Sequence, residues 1–147
     1  MSDFGAIATA LANRFAAAAL TAPTGYRTIR LSTAALPNQM PPLPCVLVFP
    51  DSGEWRTGTG TRQGGHTFTV RFYYDQLADL SRAQSGLLAW LTVLADQLRG
   101  AVQLGGTVTR ATIDSWSMGT LTYAGGEYAG LEFKVSVVTD EPWSATA

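Results

Sequence analysis

Three side chains carry most of the reactive chemistry open to this 147-residue chain: its one histidine, His66, its one cysteine, Cys45, and its one lysine, Lys134. A metal centre needs several His, Cys or carboxylate ligands held together, and nucleophilic catalysis needs a nucleophile beside a base. Almost every such constellation here must share His66. Cys45 and His66 can pair only if their strands are neighbours. Cys45, moreover, opens a wholly apolar run, Cys45 to Phe49, where a neutral packed thiol is the usual occupant. Asp51, Ser52 and His66 supply the residue types of a hydrolytic triad but lack the glycine-flanked elbow that presents its serine. Lys134 sits in mid-strand, which excludes a P-loop, and Gly58, Gly60 and Gly64 miss the dinucleotide fingerprint. The sequence therefore predicts no catalytic residue, no cofactor and no metal.

The carboxylates are spread out. Asp75 and Asp79 fall at a helix entry, and Asp140 and Glu141 in the tail, where capping and solubility account for them. Glu132 and Lys134 share a strand face and can pair with Arg71 if those strands are adjacent. The aromatic residues say more. Trp116 and Tyr123 are expected to pack on a sheet, whereas Trp55 and Trp143 lie among residues too polar or too glycine-rich to bury them locally. Trp55, Arg56, Arg62 and His66 on one Gly/Thr-rich stretch, with Trp143 in the tail, are the candidate contacts to a partner or to another copy of the chain.

Composition narrows the class. With 46% apolar and 14% charged residues the chain is globular, its charged fraction well below the usual ~25%. Nine arginines and one lysine are scattered singly and the net charge is −1, so there is no electrostatic footprint of a nucleic-acid binder. One cysteine excludes an internal disulfide. No apolar run approaches the ~20 residues of a membrane span, and the start lacks a secretory pattern, so a soluble cytoplasmic product is expected. The length suits one domain over 1–147.

Periodicity places the elements. Phe4, Ile7, Ala8, Leu11, Phe15 and Ala18 recur at helical spacing and predict a helix over 3–20, capped by Ser2 or Asp3. A short strand, Tyr26 to Leu31, precedes a passage in which Pro37, Pro41, Pro42 and Pro44 rule out helix. Cys45 to Phe49 predicts a strand buried on both faces and ended by Pro50 to Gly53. Residues 53–65 hold five glycines, Gly53, Gly58, Gly60, Gly64 and Gly65, and predict a mobile hairpin tip, with His66 partly exposed at the start of an alternating strand to Tyr74. A second helix is predicted over 82–99, with Ser81 and Gln84 as a capping box and Gly100 as its stop. Its apolar face is expected to carry Leu80, Leu87, Leu88, Leu91, Leu94, Ala95 and Leu98, and the glycine at 86 suggests close packing there. Strands Thr107–Trp116 and Thr120–Tyr123, a Gly125-Gly126 turn and an alternating strand Leu131–Val137 follow. The expectation is an α+β fold, a mostly antiparallel sheet flanked by two main helices in the order α-β-β-β-α-β-β-β.

The chain thus runs from an N-terminal helix into Pro44-Cys-Val-Leu-Val-Phe-Pro50, a Gly/Thr loop and His66-Thr-Phe-Thr-Val-Arg-Phe-Tyr-Tyr-Asp75. After the long helix it closes through Ser115-Trp-Ser-Met-Gly-Thr-Leu-Thr-Tyr-Ala-Gly-Gly126 to Leu131-Glu-Phe-Lys-Val-Ser-Val-Val138. In element order and texture, over nearly its whole length, it resembles the tail terminator proteins of long-tailed bacteriophages, also called tail-completion or minor tail proteins. The resemblance implies a structural virion protein, assembled in the host cytoplasm, that forms a ring, usually a hexamer, on the head-proximal end of the tail tube. Such a ring stops tube growth and joins tail to head, so its partners would be other copies of itself, the tail tube protein and a head-closure or neck protein. DNA would pass through the lumen without being held, which suits the near-zero net charge. The nearest rival is a head-closure or neck connector. From another class the rival is a small cofactor-free enzyme or ligand-binding α+β domain, with a deep pocket beside His66 or Cys45.

Overall fold

The computed structural model of the protein describes residues 4–16, 22–23, 25–57, 61–76, 80–98, 104, 108 and 110–142. The element order is α1 (Phe4–Arg14), β1 (Leu31–Thr33), β2 (Cys45–Thr57), β3 (Thr61–Gln76), α2 (Leu80–Ala95), a 3₁₀ turn (Asp96–Leu98), β4 (Arg110–Tyr123) and β5 (Gly126–Pro142). The strands form one sheet in the order β1-β2-β3-β5-β4. Only β1 and β2 run parallel; the other three pairings are antiparallel. This is the expected α+β class.

Both helices lie on one side of the sheet. α1 buries Ile7, Ala8, Leu11 and Ala12, and Phe15 just beyond its end, against Val46 and Val48 of β2 and Phe68, Val70 and Phe72 of β3. α2 completes this core with Leu87, Trp90 and Leu94 over alternate residues of β5, Leu131, Phe133, Val135 and Val137. The buried stripe of α2 is turned from the one expected: Trp90 lies at its centre, against Phe72 at 5.2 Å between ring centroids, while Leu88 remains 47% exposed. Burying an indole removes more apolar area than burying a leucine, which favours that rotation. The interior glycine of this helix does mark close packing, because a side chain at Gly86 would run into the Tyr74 ring.

The opposite face carries a smaller apolar group, Cys45, Leu47 and Tyr73, roofed by Met40, Leu43, Leu121, Tyr123 and Tyr128. The apolar run from Cys45 is therefore buried on both sides, as its composition requires. Farther along this face the surface is polar. Arg71 Nε donates to Glu132 Oε1 at 3.1 Å, and Lys134 Nζ donates to Asp51 Oδ2 at 2.9 Å and Thr69 Oγ1 at 2.8 Å.

Several boundaries differ from the sequence expectations. The expected strand Tyr26–Leu31 gives way to β1 at Leu31–Thr33. Pro50 to Gly53 do not end β2; the register shifts between Pro50 and Ser52, a bulge that absorbs the proline, and the strand continues to Thr57. The two strand candidates on either side of Ser117–Gly119 are one strand, β4, because β5 offers an unbroken partner from Gly126 to Val138. α2 begins at Leu80, which puts Ser81 inside the first turn rather than at the cap. Ser2, Asp3, Ala18, Gly100 and Trp143 lie outside the described residues.

Candidate functional site

On both sides of residues 58–60 the glycine-rich stretch is sheet. Residues Gly53 to Thr57 of β2 pair with Arg62 to His66 of β3, and β3 in turn pairs with β5 from Val137 to Pro142. The result is a three-stranded arm leading towards residues 58–60, which lie outside the described residues. The sequence marks this stretch as weak strand because glycine contributes no packing side chain. Its glycines have a specific use instead.

His66 sits inside the arm, 6% exposed, and not partly exposed at a strand end as expected. It lies directly opposite Gly53 on β2 and Val137 on β5. A Cβ on Gly53 would collide with His66 Nδ1, and one on Gly64 would collide with His66 Nε2 and lie 2.6 Å from Thr139 Oγ1. The imidazole therefore occupies the space that two absent side chains leave. Phe4 meets its ring edge-on, with centroids 4.8 Å apart and planes at 86°, and Trp55 does the same at 5.2 Å and 70°. Thr139 Oγ1 lies 3.5 Å from Nε2. Phe4 and Trp55 also meet, at 6.1 Å and 65°. Edge-to-face pairs of this kind contribute ~0.5–1.5 kcal/mol each beyond area burial.

The outcome is a buried imidazole holding a half-exposed indole. Trp55 keeps 47% of its surface in solvent. Beside it lies an open cavity of about 230 Å³, lined by Phe4, Pro50, Trp55, His66 and Phe68 among others. A second hollow of about 490 Å³ is more polar, lined by Ser52, Glu54, Gly64, Gly65, Thr67 and Arg110.

The catalytic alternatives do not assemble. Cys45 is opposite Tyr73 and His66 is opposite Gly53, seven residues apart along β3, roughly 23 Å at strand rise. The two also fall on opposite faces, since Cys45 packs with Leu47 and Tyr73 while His66 lies on the side of α1. Burial pushes the Cys45 thiol up to about 12, so it stays protonated at neutral pH. The Asp51 carboxylate, the acid a Ser52–His66 pair would need, is engaged by Lys134 and Thr69 on the other face. Among the described residues no group of three or more His, Cys, Asp or Glu gathers to hold a metal ion, and no helix is long and apolar enough to cross a membrane.

Of the five candidate contact residues, Trp55 and His66 are brought together. Arg56 stands opposite Gln63 and Arg62 opposite Thr57, so both are on the arm ladder, and their side chains are outside the described ones. Trp143 follows directly after β5 and lies outside the described residues. Sequence reasoning missed Phe4 and Thr139, which complete the histidine's enclosure, and it missed Trp116, expected to pack on the sheet and found 52% exposed. A usable signal was present: glycines at 53 and 64 around a lone histidine imply a close approach of something bulky. No protein-family model matches this sequence, and no curated protein does either.

Proposed function

We propose that this chain is a tail-terminator-like structural protein. It acts by assembly, as a ring that caps the head-proximal end of a phage tail tube, ends tube growth and presents a docking face to the neck. One observation carries the reading: the arm holds Trp55 half in solvent, braced from beneath by His66 and Phe4. An exposed aromatic fixed before its partner arrives loses little side-chain entropy on binding, and such anchors dominate interface energies. The element order supports the same reading through its resemblance to the tail terminators. On the helix-free face Arg71 pairs with Glu132 and Lys134 with Asp51, so these two cations are already engaged by carboxylates, which suits a surface that DNA passes without being retained.

The test has two parts. Solution mass and particle images of the purified chain should show a closed ring. That ring, added to the polymerising tail tube protein of its own phage, should arrest tube length. A ring that binds the portal side but leaves tube growth unchanged would assign the chain to the neck instead. A stable monomer with a small molecule bound beside His66 would sink the assembly reading altogether.

A further inference from the structure

The two edges of the sheet are unequal. β4 forms one edge, pairing through its inner side with β5 from Arg110 to Tyr123, and among the described residues no strand pairs with its outer side. Its stretch Ser115 to Thr122, Ser-Trp-Ser-Met-Gly-Thr-Leu-Thr, contains no charged residue and no proline. Proteins that keep an edge strand solitary usually place lysine or proline there, or keep the strand short. At the other edge β1 covers β2 only from Cys45 to Leu47. Pro50 cannot donate a backbone hydrogen bond, so Ser52 to Thr57 is the longest run of β2 able to accept a new neighbour along its outer side.

Strand sense and side-chain direction make these two edges complementary. β4 is antiparallel to β5, β5 to β3 and β3 to β2, so β4 runs opposite to β2. With the strands running along the ring axis, rotation about it preserves their sense, so β4 of one copy meets β2 of the next antiparallel, continuing the alternation of the sheet. Trp116 stands opposite Phe133, on the helix side, and Trp55 stands opposite Gly64 beside His66 and Phe4, also on the helix side. They are half-exposed indoles at opposite edges of one face, and joining the edges brings them to a single seam.

We infer that β4 of one copy pairs with the Ser52–Thr57 edge of β2 in the next, so that one sheet runs from subunit to subunit with Trp116 and Trp55 anchoring each junction. This rests on the ring reading above and specifies its interface. The contact is heterologous, using two different patches per copy, as a closed ring requires. A two-fold pairing of β4 with β4 would leave Trp55 unused.

Cysteine cross-linking of the full chain tests it. Glu54 and Ser117 are exposed and stand opposite Gly65 and Glu132, on the helix-free side, away from the indoles. Cys45 is fully buried and does not compete for reagent. With a bis-maleimide, the double variant Glu54→Cys/Ser117→Cys should give a ladder of covalent multimers on denaturing gels, and each single variant should stay monomeric there. Thr120→Lys, at an exposed edge position that need not disturb folding, should weaken assembly by at least tenfold by light scattering. Dimers from Ser117→Cys alone would establish two-fold pairing and overturn the inference. A ring that yields no ladder and tolerates Thr120→Lys would overturn it while leaving the ring intact. Edge-linked assemblies that fail to stop tube growth would support the pairing and sink the terminator function.

Discussion

Gly53 stands directly across the β2–β3 ladder from His66, and the imidazole fills the space where a side chain at Gly53 would be. The ring cannot retreat, because Gly64, Phe4 and Trp55 wall its other sides. Gly53→Ala should therefore cost about 1–3 kcal/mol of stability by overpacking. The loss should shrink when His66→Ala is added, because the clash partner is gone. Urea denaturation of the two single variants and the double variant measures this coupling; strict additivity would show that the glycine and the histidine do not share the space.

Trp55 separates folding from assembly. Half of its surface is already wet, so Trp55→Ala should lower the unfolding free energy by only about 1 kcal/mol, the value of its edge contacts with Phe4 and His66. Its effect on oligomer mass should be far larger. Parallel denaturation and sedimentation measurements check the pair of outcomes, and a large fold defect with unchanged mass would place Trp55 in the core instead.

The Lys134–Asp51 contact has a pH signature. The hydrogen bond from Lys134, then its charge, holds the Asp51 carboxyl below its ordinary value of 3.8. A folded-state pKa lowered in this way stabilises the fold above the unfolded value, and that contribution is lost as pH falls through the folded one. Asp51→Asn should therefore lower stability modestly at neutral pH and converge with the unaltered protein below about pH 4, which flattens the acid limb. Urea midpoints recorded from pH 6 to pH 2 for both proteins provide the check. Because the pair is exposed, 1 M salt should also erase most of the difference.

Cys45 should be silent to thiol reagents in the native state. With the thiol pushed up to about 12 by burial, the thiolate fraction at pH 8 is on the order of 10⁻⁴, and the sulfur is also sterically closed off. Reaction with a chromogenic disulfide should thus track unfolding, becoming fast only in denaturant. Rapid labelling of the folded chain would contradict the packing of Cys45 against Leu47 and Tyr73.

The β4–β5 turn offers a stabilising change. Tyr123 pairs with Gly126, and the two residues between them, Ala124 and Gly125, have φ of 51° and 84°. Two positive φ values in a two-residue hairpin loop fit a type I′ turn, which favours Asn-Gly. Ala124→Asn should raise stability by about 0.5–1 kcal/mol, read from thermal or urea unfolding.

Regular patterns made much of the fold legible. The stripe Ile7, Leu11 and Phe15 and the alternations Phe68-Val70-Phe72 and Leu131-Phe133-Val135 each follow a single period and are buried as that period requires. The Arg71–Glu132 pair was visible because both residues sit on polar faces of such strands. What stayed hidden depended on partners far away in sequence. Glycine at 53 and 64 lowers strand propensity locally, yet a neighbouring strand on each side of β3 and a histidine needing space override it. Phe4 belongs to a helical stripe by spacing, and only the meeting of α1 with the arm makes it a wall of the His66 site. The edge position of β4 is a property of strand order, which no local pattern encodes.

β5 is one uninterrupted strand of 17 residues, roughly 56 Å from end to end, reaching from the tight turn at Ala124–Gly125 to the partner of Thr61 near the tip of the arm. A force applied at that tip cannot be absorbed by a hinge along this strut; it is transmitted as shear into the ladders on either flank. Shear loads many hydrogen bonds at once, whereas peeling breaks them singly. A protein pulled at the arm should accordingly yield late and abruptly.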